Sequence, residues 1–255
     1  MSVRVAFVGD LHLGKQIRGY DRTPDVVSAW ERCVSEAVAE GCSYLIQTGD
    51  VYDDSHPSPE LATTGVRLFA SAAPRFHELH VLVGNHDLRH SIERSDALAP
   101  LREVLPPRLH VHATPSARAL RGGDGVVSQD EAVLLCLPYE SKSRRKWSSP
   151  AEYDALIVRL LDRADPSGDL PVVVVGHLDI DGAQLASEVL ARGGGHPWPT
   201  GAGWRDRVSH AIDGHFHRPQ ACSTGGWTIH VVGSPVALDF GEAGEVKRWI
   251  YVDVG

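Results

Sequence analysis

The sequence predicts one α/β domain whose central sheet is at least partly parallel. Short apolar runs rich in β-branched residues alternate with stretches in which apolar positions recur at helical intervals. A strand–helix–strand–helix–strand order is typical of parallel strands joined by helical crossovers. The chain has 255 residues, no internal repeat and no long linker, so we expect a single domain over residues 1–255.

The first third of the chain carries the clearest alternation of strands and helices. Strands are predicted over residues 3–8, 44–48 and 80–83, and helices over residues 24–40 and 58–73. The first helix opens with Pro24 and is followed by Gly41, the asymmetry that helices commonly show. The second is entered through Ser58 and Pro59, which also suits a helix N-terminus.

The rest of the chain alternates less regularly. Helices are predicted near residues 94–104 and over 151–164, and strands near 109–120, 132–136, 171–176, 210–213, 220–223, 227–232 and 246–254. Residues 171–176 are continuously apolar, which indicates a strand buried on both faces. Residues 192–203 are rich in Gly and Pro and predict a loop. The in–out alternation of residues 246–254 favours a half-exposed edge strand.

The composition is that of a folded protein without a membrane segment. Hydrophobic residues make up 42% and charged residues 23%, which disfavours disorder. No apolar run is long enough to cross a bilayer and the N-terminus lacks a signal-peptide pattern, so we expect a cytoplasmic protein. The four cysteines are scattered, which favours reduced thiols. A net charge of −8 excludes a uniformly basic surface, but a local patch or bound cations would still allow nucleic-acid binding.

Five predicted strands end in the same way: a glycine is followed directly by Asp, Asn or His. The five ends are Gly9-Asp10-Leu11-His12, Gly49-Asp50, Gly84-Asn85-His86-Asp87, Gly176-His177 and Gly214-His215-Phe216-His217. In an open α/β sheet such positions gather at the carboxyl ends of neighbouring strands, where these folds place their sites. Glycine permits a sharp, closely packed exit from the strand. The pattern therefore predicts one polar site built from five segments.

The donor atoms of this predicted site suit a pair of divalent metal ions. Two aspartates, one asparagine and four histidines offer oxygen and nitrogen ligands without thiolates, which favours Mn²⁺, Fe²⁺ or Zn²⁺. Seven ligands are too many for one ion but suit two ions about 3.5–4 Å apart that share a carboxylate and a bridging hydroxide. A neutral asparagine oxygen leaves such a site positive, ready to hold a phosphate. No function is assigned to the remaining histidines: His56, His77, His80, His90, His110, His112, His196, His210 and His230.

The motifs "GDLHLG", "GDVYD", "GNHD", "GH" and "GHFH" resemble the calcineurin-like metallophosphoesterase superfamily. Within it, "GDLHLGKQ", "GDVYDDSHPSPE", "GHFHRPQ" and "VVGSPVALDFGE" resemble the SbcD-type DNA repair nucleases. The resemblance runs from about residue 3 to residue 254. It implies a four-layer α/β/β/α sandwich with mixed sheets and a dinuclear metal site at the carboxyl ends of strands.

The resemblance also implies a role for each residue of the site. One ion would be bound by Asp10, His12 and His217, the other by Asn85, His177 and His215, with Asp50 bridging the two. The implied metal is Mn²⁺, with Fe²⁺, Zn²⁺ and Mg²⁺ as alternatives. His86 matches a histidine that donates a proton or hydrogen bond to the leaving oxygen, and Asp87 would orient it. That His86 only packs is the alternative left open.

The activity implied by the resemblance is metal-dependent hydrolysis of DNA, as an exonuclease, an endonuclease or both, in repair or recombination. An SbcC-type ATPase is the implied partner, and a homodimer is left open. Relatives usually continue into a capping domain and a helical ATPase-binding segment, and we expect neither within these 255 residues. Asp53 stands where archaeal and eukaryotic relatives have a histidine, so the role of that histidine toward DNA does not carry over.

Three other functions found in the same superfamily fit the sequence less well than a nuclease does. A protein phosphatase would carry arginines where this sequence has Asp54 and Val83, which counts against that activity. A small-substrate or cyclic-nucleotide phosphodiesterase needs only the metal site and a small pocket, so it is the main alternative. A binding scaffold without metals is disfavoured because every ligand position is filled.

A basic segment points towards nucleic acid. The stretch "YESKSRRKWSSP" places Arg144, Arg145 and Lys146 beside Trp147. The cations could contact phosphates while the indole stacks on a base or sugar. The alternative left open is a solvated surface loop.

Overall fold

Two mixed sheets pack face to face and carry helices on their outer faces. The computed structural model describes residues 2–88, 96–104, 107–122, 129–141, 144–184 and 197–255. Apolar clusters fill the space between the sheets and the space between each sheet and its helices. The predicted α/β class and its four-layer α/β/β/α arrangement are therefore confirmed.

Strands and helices alternate along the described chain much as the sequence predicts. The strands are β1 (Val3–Val8), β2 (Gln16–Ile17), β3 (Tyr20–Asp21), β4 (Tyr44–Gln47), β5 (Glu78–Leu82), β6 (Leu109–His112), β7 (Ser116–Gly122), β8 (Gln129–Leu137), β9 (Val172–Gly176), β10 (Val208–Asp213), β11 (Gln220–Thr224), β12 (Trp227–Val231) and β13 (Ile250–Val254). The α-helices are α1 (Thr23–Ala39), α2 (Pro59–Ala72), α3 (Ala99–Val104) and α4 (Pro150–Ala164). Short 3₁₀ turns cover Ala73–Arg75, Arg205–Arg207 and Phe240–Glu242.

Parallel pairing in both sheets brings the important strand ends to one edge. The first sheet has the order β13-β1-β4-β5-β6, with β13 the antiparallel strand. The second has the order β11-β12-β10-β9-β8-β7, with antiparallel strands at both edges. The strands β1, β4, β5, β9 and β10 all end in a motif picked out from the sequence.

Apolar burial explains why these layers hold together. Between the sheets, Phe7 and Val175 are fully buried. Trp30 of α1 and Phe69 of α2 pack edge to face, with ring centroids 4.8 Å apart, over the outer face of the first sheet. On the second sheet, α4 buries an apolar face that includes Ile157. Burial of each such side chain stabilises the fold by about 1.5–3 kcal/mol.

Some element boundaries differ from the prediction. The last strand begins at Ile250 rather than at residue 246. The helix predicted near 94–104 is present as Ala99–Val104, and its first two predicted residues lie outside the described ones. Residues 192–196 of the predicted loop also lie outside them. The β2–β3 hairpin was not predicted, because two-residue strands leave no periodic pattern. Among the described residues, no helix is long and apolar enough to span a bilayer.

Candidate metal centre

All seven predicted metal ligands lie together where the strands end. Asp10 follows β1, Asp50 follows β4 and His177 follows β9, and their side chains are almost fully buried. Charged and titratable groups are rarely buried to this extent unless they are paired or bind a cation. The site is therefore a concentrated cluster of buried polar groups at the carboxyl ends of these strands.

The glycines before the ligands are required by close contacts. A Cβ atom on Gly84 would lie 2.1 Å from Asp50 Oδ1, and one on Gly49 would lie 2.2 Å from His177 Nδ1. Gly49 also has a φ of +117°, a conformation that L side chains rarely adopt. At these two strand ends any larger residue would displace Asp50 or His177, two of the predicted ligands.

Several of the predicted ligands have a strained backbone. His12, Asp50 and His215 have φ angles of 48°, 53° and 65°, in the left-handed region that residues with a Cβ seldom occupy. Such conformations cost of order 1–3 kcal/mol each and concentrate at functional sites. Three residues of this one cluster therefore have a strained backbone conformation.

Asp50 lies at the middle of the cluster. Its Oδ2 atom is 3.6 Å from His12 Nε2 and 3.3 Å from His177 Nε2, and its Oδ1 atom accepts a 2.8 Å hydrogen bond from the His86 amide. Burial would raise the pKa of Asp50, but the surrounding imidazoles hold it well below its usual range. One carboxylate thus faces histidines on both sides.

The first group of donors consists of Asp10, His12 and His217, whose ligand atoms lie within 4.8 Å of one another. The Nε2 atoms of His12 and His217 face each other at 3.1 Å. Their Nδ1 atoms are held from outside, by Asp53 Oδ1 at 3.0 Å and by Glu242 Oε1 at 3.0 Å. Carboxylates that hold the outer ring nitrogen in this way typically orient a histidine towards a metal.

The second group contains Asp50, His177 and His215, again within 4.8 Å of one another. His177 Nδ1 donates to the Thr48 carbonyl at 2.8 Å, since a carbonyl oxygen can only accept. The Nε2 atom of His177 therefore points inward and lies 3.0 Å from Asn85 Oδ1. Asn85 thus joins this group with a neutral oxygen.

Unsatisfied polar atoms show that cations fit this centre. Asp10 Oδ2 and His215 Nδ1 are buried and have no hydrogen-bond partner among the described residues, which is costly unless another group binds them. The other nitrogen of His215, Nε2, lies 3.0 Å from Asp179 Oδ1. Oxygen and nitrogen donors without sulfur suit divalent ions such as Mn²⁺, Fe²⁺ or Zn²⁺.

His86 lies at the partly exposed rim of the cluster. Its Nδ1 atom donates to the Asp53 carbonyl at 2.8 Å, which leaves Nε2 as the ring nitrogen available to another group. The ring meets that of His12 edge to face, with centroids 4.7 Å apart. His86, His12 and Asp50 also form a third group of donors within 4.8 Å of one another, so the geometry allows His86 to be a ligand as well.

Asp87 has different contacts from those expected. Its carboxylate accepts from the backbone amides of Val51, Tyr52 and Gly84, at 3.0–3.3 Å. Burial, with the Asp50 charge nearby, raises the pKa of Asp87 to about 7. The ring of His86 is instead oriented by the Asp53 carbonyl. Asp87 therefore ties the two strand-end turns to each other rather than contacting the His86 ring.

Sequence reasoning missed the residues that bond the predicted histidine ligands through their outer nitrogens. Glu242 is fully buried and bonds His217, Ser234 and Lys247. Asp179 follows His177 by two residues and contacts His215. The "DFGE" motif contains Glu242, but its spacing from His217 along the chain gives no sign of the contact.

The described part of the basic segment begins beside the predicted metal ligands. Tyr139, at its start, lies beside His215 with ring centroids 6.3 Å apart. Arg145 donates to the Glu140 carbonyl at 3.2 Å, and its guanidinium lies 4.9 Å from the ring centroid of Trp147. Lys146 is exposed, whereas Trp147 is half-buried and packs on Tyr153. Lys146 thus lies at the surface, Arg144 and Arg145 are half-buried, and part of the indole lies in the core.

We expect Glu242→Gln to weaken metal binding about 10–100-fold, as is usual when a residue that orients a ligand is changed. The neutral amide would no longer hold His217 as the carboxylate does at 3.0 Å. Isothermal titration with Mn²⁺ measures the change. Glu245→Gln is the matched control, because Glu245 pairs with Lys247 and Arg218 rather than with a ligand of the described centre. Equal losses in both variants would contradict an orienting role for Glu242.

Comparisons with known proteins identify the family and support the fold. The family model for calcineurin-like phosphoesterases matches residues 3–219. Among solved structures, a dimetal phosphatase from Danio rerio is similar with a TM-score of 0.56 and 12% identity, covering 98% of this chain and 91% of that one. A putative 5'-nucleotidase from Staphylococcus aureus has a TM-score of 0.51 and 15% identity, covering 92% of this chain and 49% of that one. At these identities the structures show the fold alone.

Three curated relatives share one name, the D subunit of nuclease SbcCD. That of Rhodobacter capsulatus is 26% identical over 95% of this chain and 64% of its own length. That of Bacillus subtilis is 25% identical over 98% of this chain and 66% of its own length. That of Escherichia coli K12 is 25% identical over 96% of this chain and 63% of its own length. The chain thus spans a little less than two thirds of these relatives.

Proposed function

Because this chain belongs to the calcineurin-like phosphoesterase family, we propose that it is a metal-dependent nuclease that hydrolyses phosphodiester bonds in DNA. Its family and its nuclease-named relatives make it a phosphoester hydrolase. The observation that carries the proposal is the position of Asp50, whose carboxylate faces donors of both groups.

The proposed ligands are assigned to two ions that share Asp50. One ion takes Asp10, His12 and His217, the other takes Asn85, His177 and His215, and Asp50 serves both. When bound, two divalent ions supply positive charge that polarises the phosphodiester and lowers the pKa of water for attack on phosphorus. Only two of the seven ligands carry negative charge, so the loaded centre stays positive and attracts a phosphate.

The protein side chains at the rim complete the proposed chemistry. His86 uses Nδ1 to bond the Asp53 carbonyl, so its Nε2 atom is the one available to protonate the leaving oxygen. General acid catalysis by a positioned histidine contributes about 10²–10⁴-fold to rate. Asp87 fixes the turn that carries Asn85 and His86 through its bonds to backbone amides.

Two observations favour DNA over a small phosphodiester as substrate. The curated relatives are named as subunits of a nuclease. In addition, the segment with Arg144, Arg145 and Lys146 begins beside His215, through Tyr139, so a polymer held by these cations would pass the metal centre. Small-substrate phosphodiester hydrolysis is the second candidate, since the same ligands serve both.

The proposal also covers the partner, the cellular setting, the metal and the oligomeric state. The name of the curated relatives supports an SbcC-type ATPase as partner, and DNA repair or recombination in the cytoplasm is the setting we propose. Mn²⁺ is the proposed metal; the oxygen and nitrogen donors of the centre suit it, as they also suit Fe²⁺ and Zn²⁺. A homodimer is a further part of the hypothesis.

Turnover of three substrates by one Mn²⁺-loaded preparation tests the proposal. We expect hydrolysis of linear duplex DNA or single-stranded DNA with a higher kcat/KM than that of bis-p-nitrophenyl phosphate. A preparation that cleaves only the small diester would favour the second candidate. One that cleaves none of the three would contradict both.

We expect the triple substitution of Arg144, Arg145 and Lys146 by alanine to weaken DNA binding and to flatten its dependence on salt. The slope of log K against log salt should fall by up to about 0.9 for each phosphate that the variant no longer neutralises on duplex DNA. Hydrolysis of bis-p-nitrophenyl phosphate should change little. Fluorescence anisotropy at several salt concentrations measures the slope.

A charge-matched control separates contact from net charge. Arg67, Arg75 and Arg163 are exposed residues of the helical layers. Their replacement by alanine removes the same charge and should leave the salt slope almost unchanged. Equal effects of the two triple variants would contradict a specific contact between the basic segment and DNA.

A further inference from the structure

A second cluster of side chains that could hold a metal ion lies between the two sheets, outside the centre described above. It consists of His80 on β5, His112 on β6 and Cys136 on β8, whose ligand atoms lie within 4.8 Å of one another. His80 and Cys136 are fully buried, and His112 is partly buried. No sequence pattern connects these three residues, which come from two different sheets.

The spacing of the donor atoms suits a small tetrahedral ion. Zn–N bonds of about 2.0–2.1 Å and a Zn–S bond of about 2.3 Å put neighbouring tetrahedral ligands roughly 3.3–3.6 Å apart. His80 Nδ1 and His112 Nε2 lie 3.0 Å apart. A shift of a few tenths of an ångström would give these two nitrogens the spacing that the ion requires, and the Cys136 sulfur lies within 4.8 Å of a donor atom of each ring. The same distance also suits a hydrogen bond between the two imidazoles, which is the competing explanation.

The outer nitrogen of each imidazole faces a second residue. His112 Nδ1 is hydrogen-bonded to Ser116 Oγ at 2.7 Å. His80 Nε2 is buried and lies 3.4 Å from Glu78 Oε2, without the direction of a hydrogen bond, and no other described residue bonds it. Glu78 is itself fixed by Arg118 through two hydrogen bonds of 2.9 and 2.6 Å. Glu78 therefore lies beside the outer nitrogen of His80, near the position from which carboxylates orient the histidine ligands of zinc.

The protonation states of the two imidazoles also favour binding of a cation. Burial lowers the pKa of both His80 and His112, so each ring is neutral and keeps a lone pair on one nitrogen. Burial raises the pKa of the Cys136 thiol, so this sulfur becomes a thiolate only when a cation compensates its charge.

We propose that His80, His112 and Cys136 form a separate zinc site that links β5 and β6 of the first sheet to β8 of the second. The thiolate selects Zn²⁺ over Mn²⁺, which prefers oxygen ligands. Three protein donors leave the fourth tetrahedral position to a solvent molecule. The site does not depend on the proposed nuclease activity, since it shares no residue with the centre around Asp50.

Cobalt substitution tests this site, because only a thiolate ligand gives a sulfur-to-cobalt charge-transfer band in the near ultraviolet. The ligands around Asp50 include no sulfur, so cobalt bound there does not produce the band. Titration of Co²⁺ into the metal-free full chain should produce the band in the wild type. Cys136→Ser should lose the band and bind one cobalt fewer per chain. Cys222→Ser, which removes another buried thiol, should keep it.

A second variant keeps the test decisive if Cys136→Ser folds poorly. His112→Gln changes a partly buried ligand and retains the thiol, so the band should appear only at higher Co²⁺ concentration. Circular dichroism checks the fold of each variant. A natively folded wild type without the band at saturating Co²⁺, or a Cys136→Ser protein that keeps it, would overturn the zinc site and leave a hydrogen-bonded imidazole pair. Neither result bears on DNA hydrolysis.

Discussion

Asp50→Ala is expected to lower phosphodiester hydrolysis at least about 1,000-fold, because the Lewis-acid contribution of bound metal amounts to several kcal/mol. Asp50 is the carboxylate whose Oδ2 lies 3.6 Å from His12 and 3.3 Å from His177, in the two separate groups of donors. Its removal takes a ligand from both ions at once. The variant should therefore also fail to bind two ions per chain.

Elemental analysis after gel filtration measures the bound Mn²⁺, and bis-p-nitrophenyl phosphate reports the chemistry independently of DNA binding. Asp54→Ala is the matched control, because Asp54 is an exposed carboxylate four residues further along the same segment. Its activity and metal content should be those of the wild type. If the Asp50→Ala protein still binds two ions and hydrolyses the substrate, Asp50 is not the bridging ligand.

His86→Ala should keep both metals and the affinity for DNA, yet lose about 10²–10⁴-fold in turnover on DNA. Hydrolysis of a DNA phosphodiester expels an alkoxide, which is a poor leaving group unless it is protonated. The His86 ring is held by the Asp53 carbonyl through Nδ1, so Nε2 is available, as a proton donor requires. On bis-p-nitrophenyl phosphate the loss should be much smaller, because p-nitrophenolate departs without protonation.

The leaving-group comparison separates three roles of His86. Equal losses on both substrates would mean that His86 stabilises the phosphate rather than protonating the leaving oxygen. Loss of a metal would make it a ligand, which its proximity to His12 and Asp50 also allows. His56→Ala, a change at an exposed histidine near the same loop, should alter none of these quantities.

Local sequence pattern was enough to predict the fold class and the gathering of the ligands. Each of the five strand ends is encoded within a few residues, by an apolar run, a glycine and a donor side chain. Parallel topology then brings Asp10, Asp50 and His177 together without further information. The close contacts of Gly49 and Gly84 explain why the pattern repeats.

Contacts that depend on register and on packing between sheets could not be predicted. Glu242 reaches His217 from 25 residues away, through a turn that has no periodic signal. His80 and Cys136 meet because two sheets pack at one particular angle, and a shift of one residue in either strand would separate them. Asp87 was expected to orient His86. Its hydrogen-bond partners are instead backbone amides of a distant segment, which the sequence pattern does not reveal.

The central claim is that two ions sharing Asp50 hydrolyse phosphodiesters, and one Mn²⁺ titration of the metal-free chain tests it most directly. Electron paramagnetic resonance and turnover are measured on the same samples. We predict that activity rises with the signal of a spin-coupled manganese pair and saturates at about two ions per chain, as a dinuclear centre requires. Full activity with a single isolated Mn²⁺, or two bound ions without coupling, would contradict the shared centre.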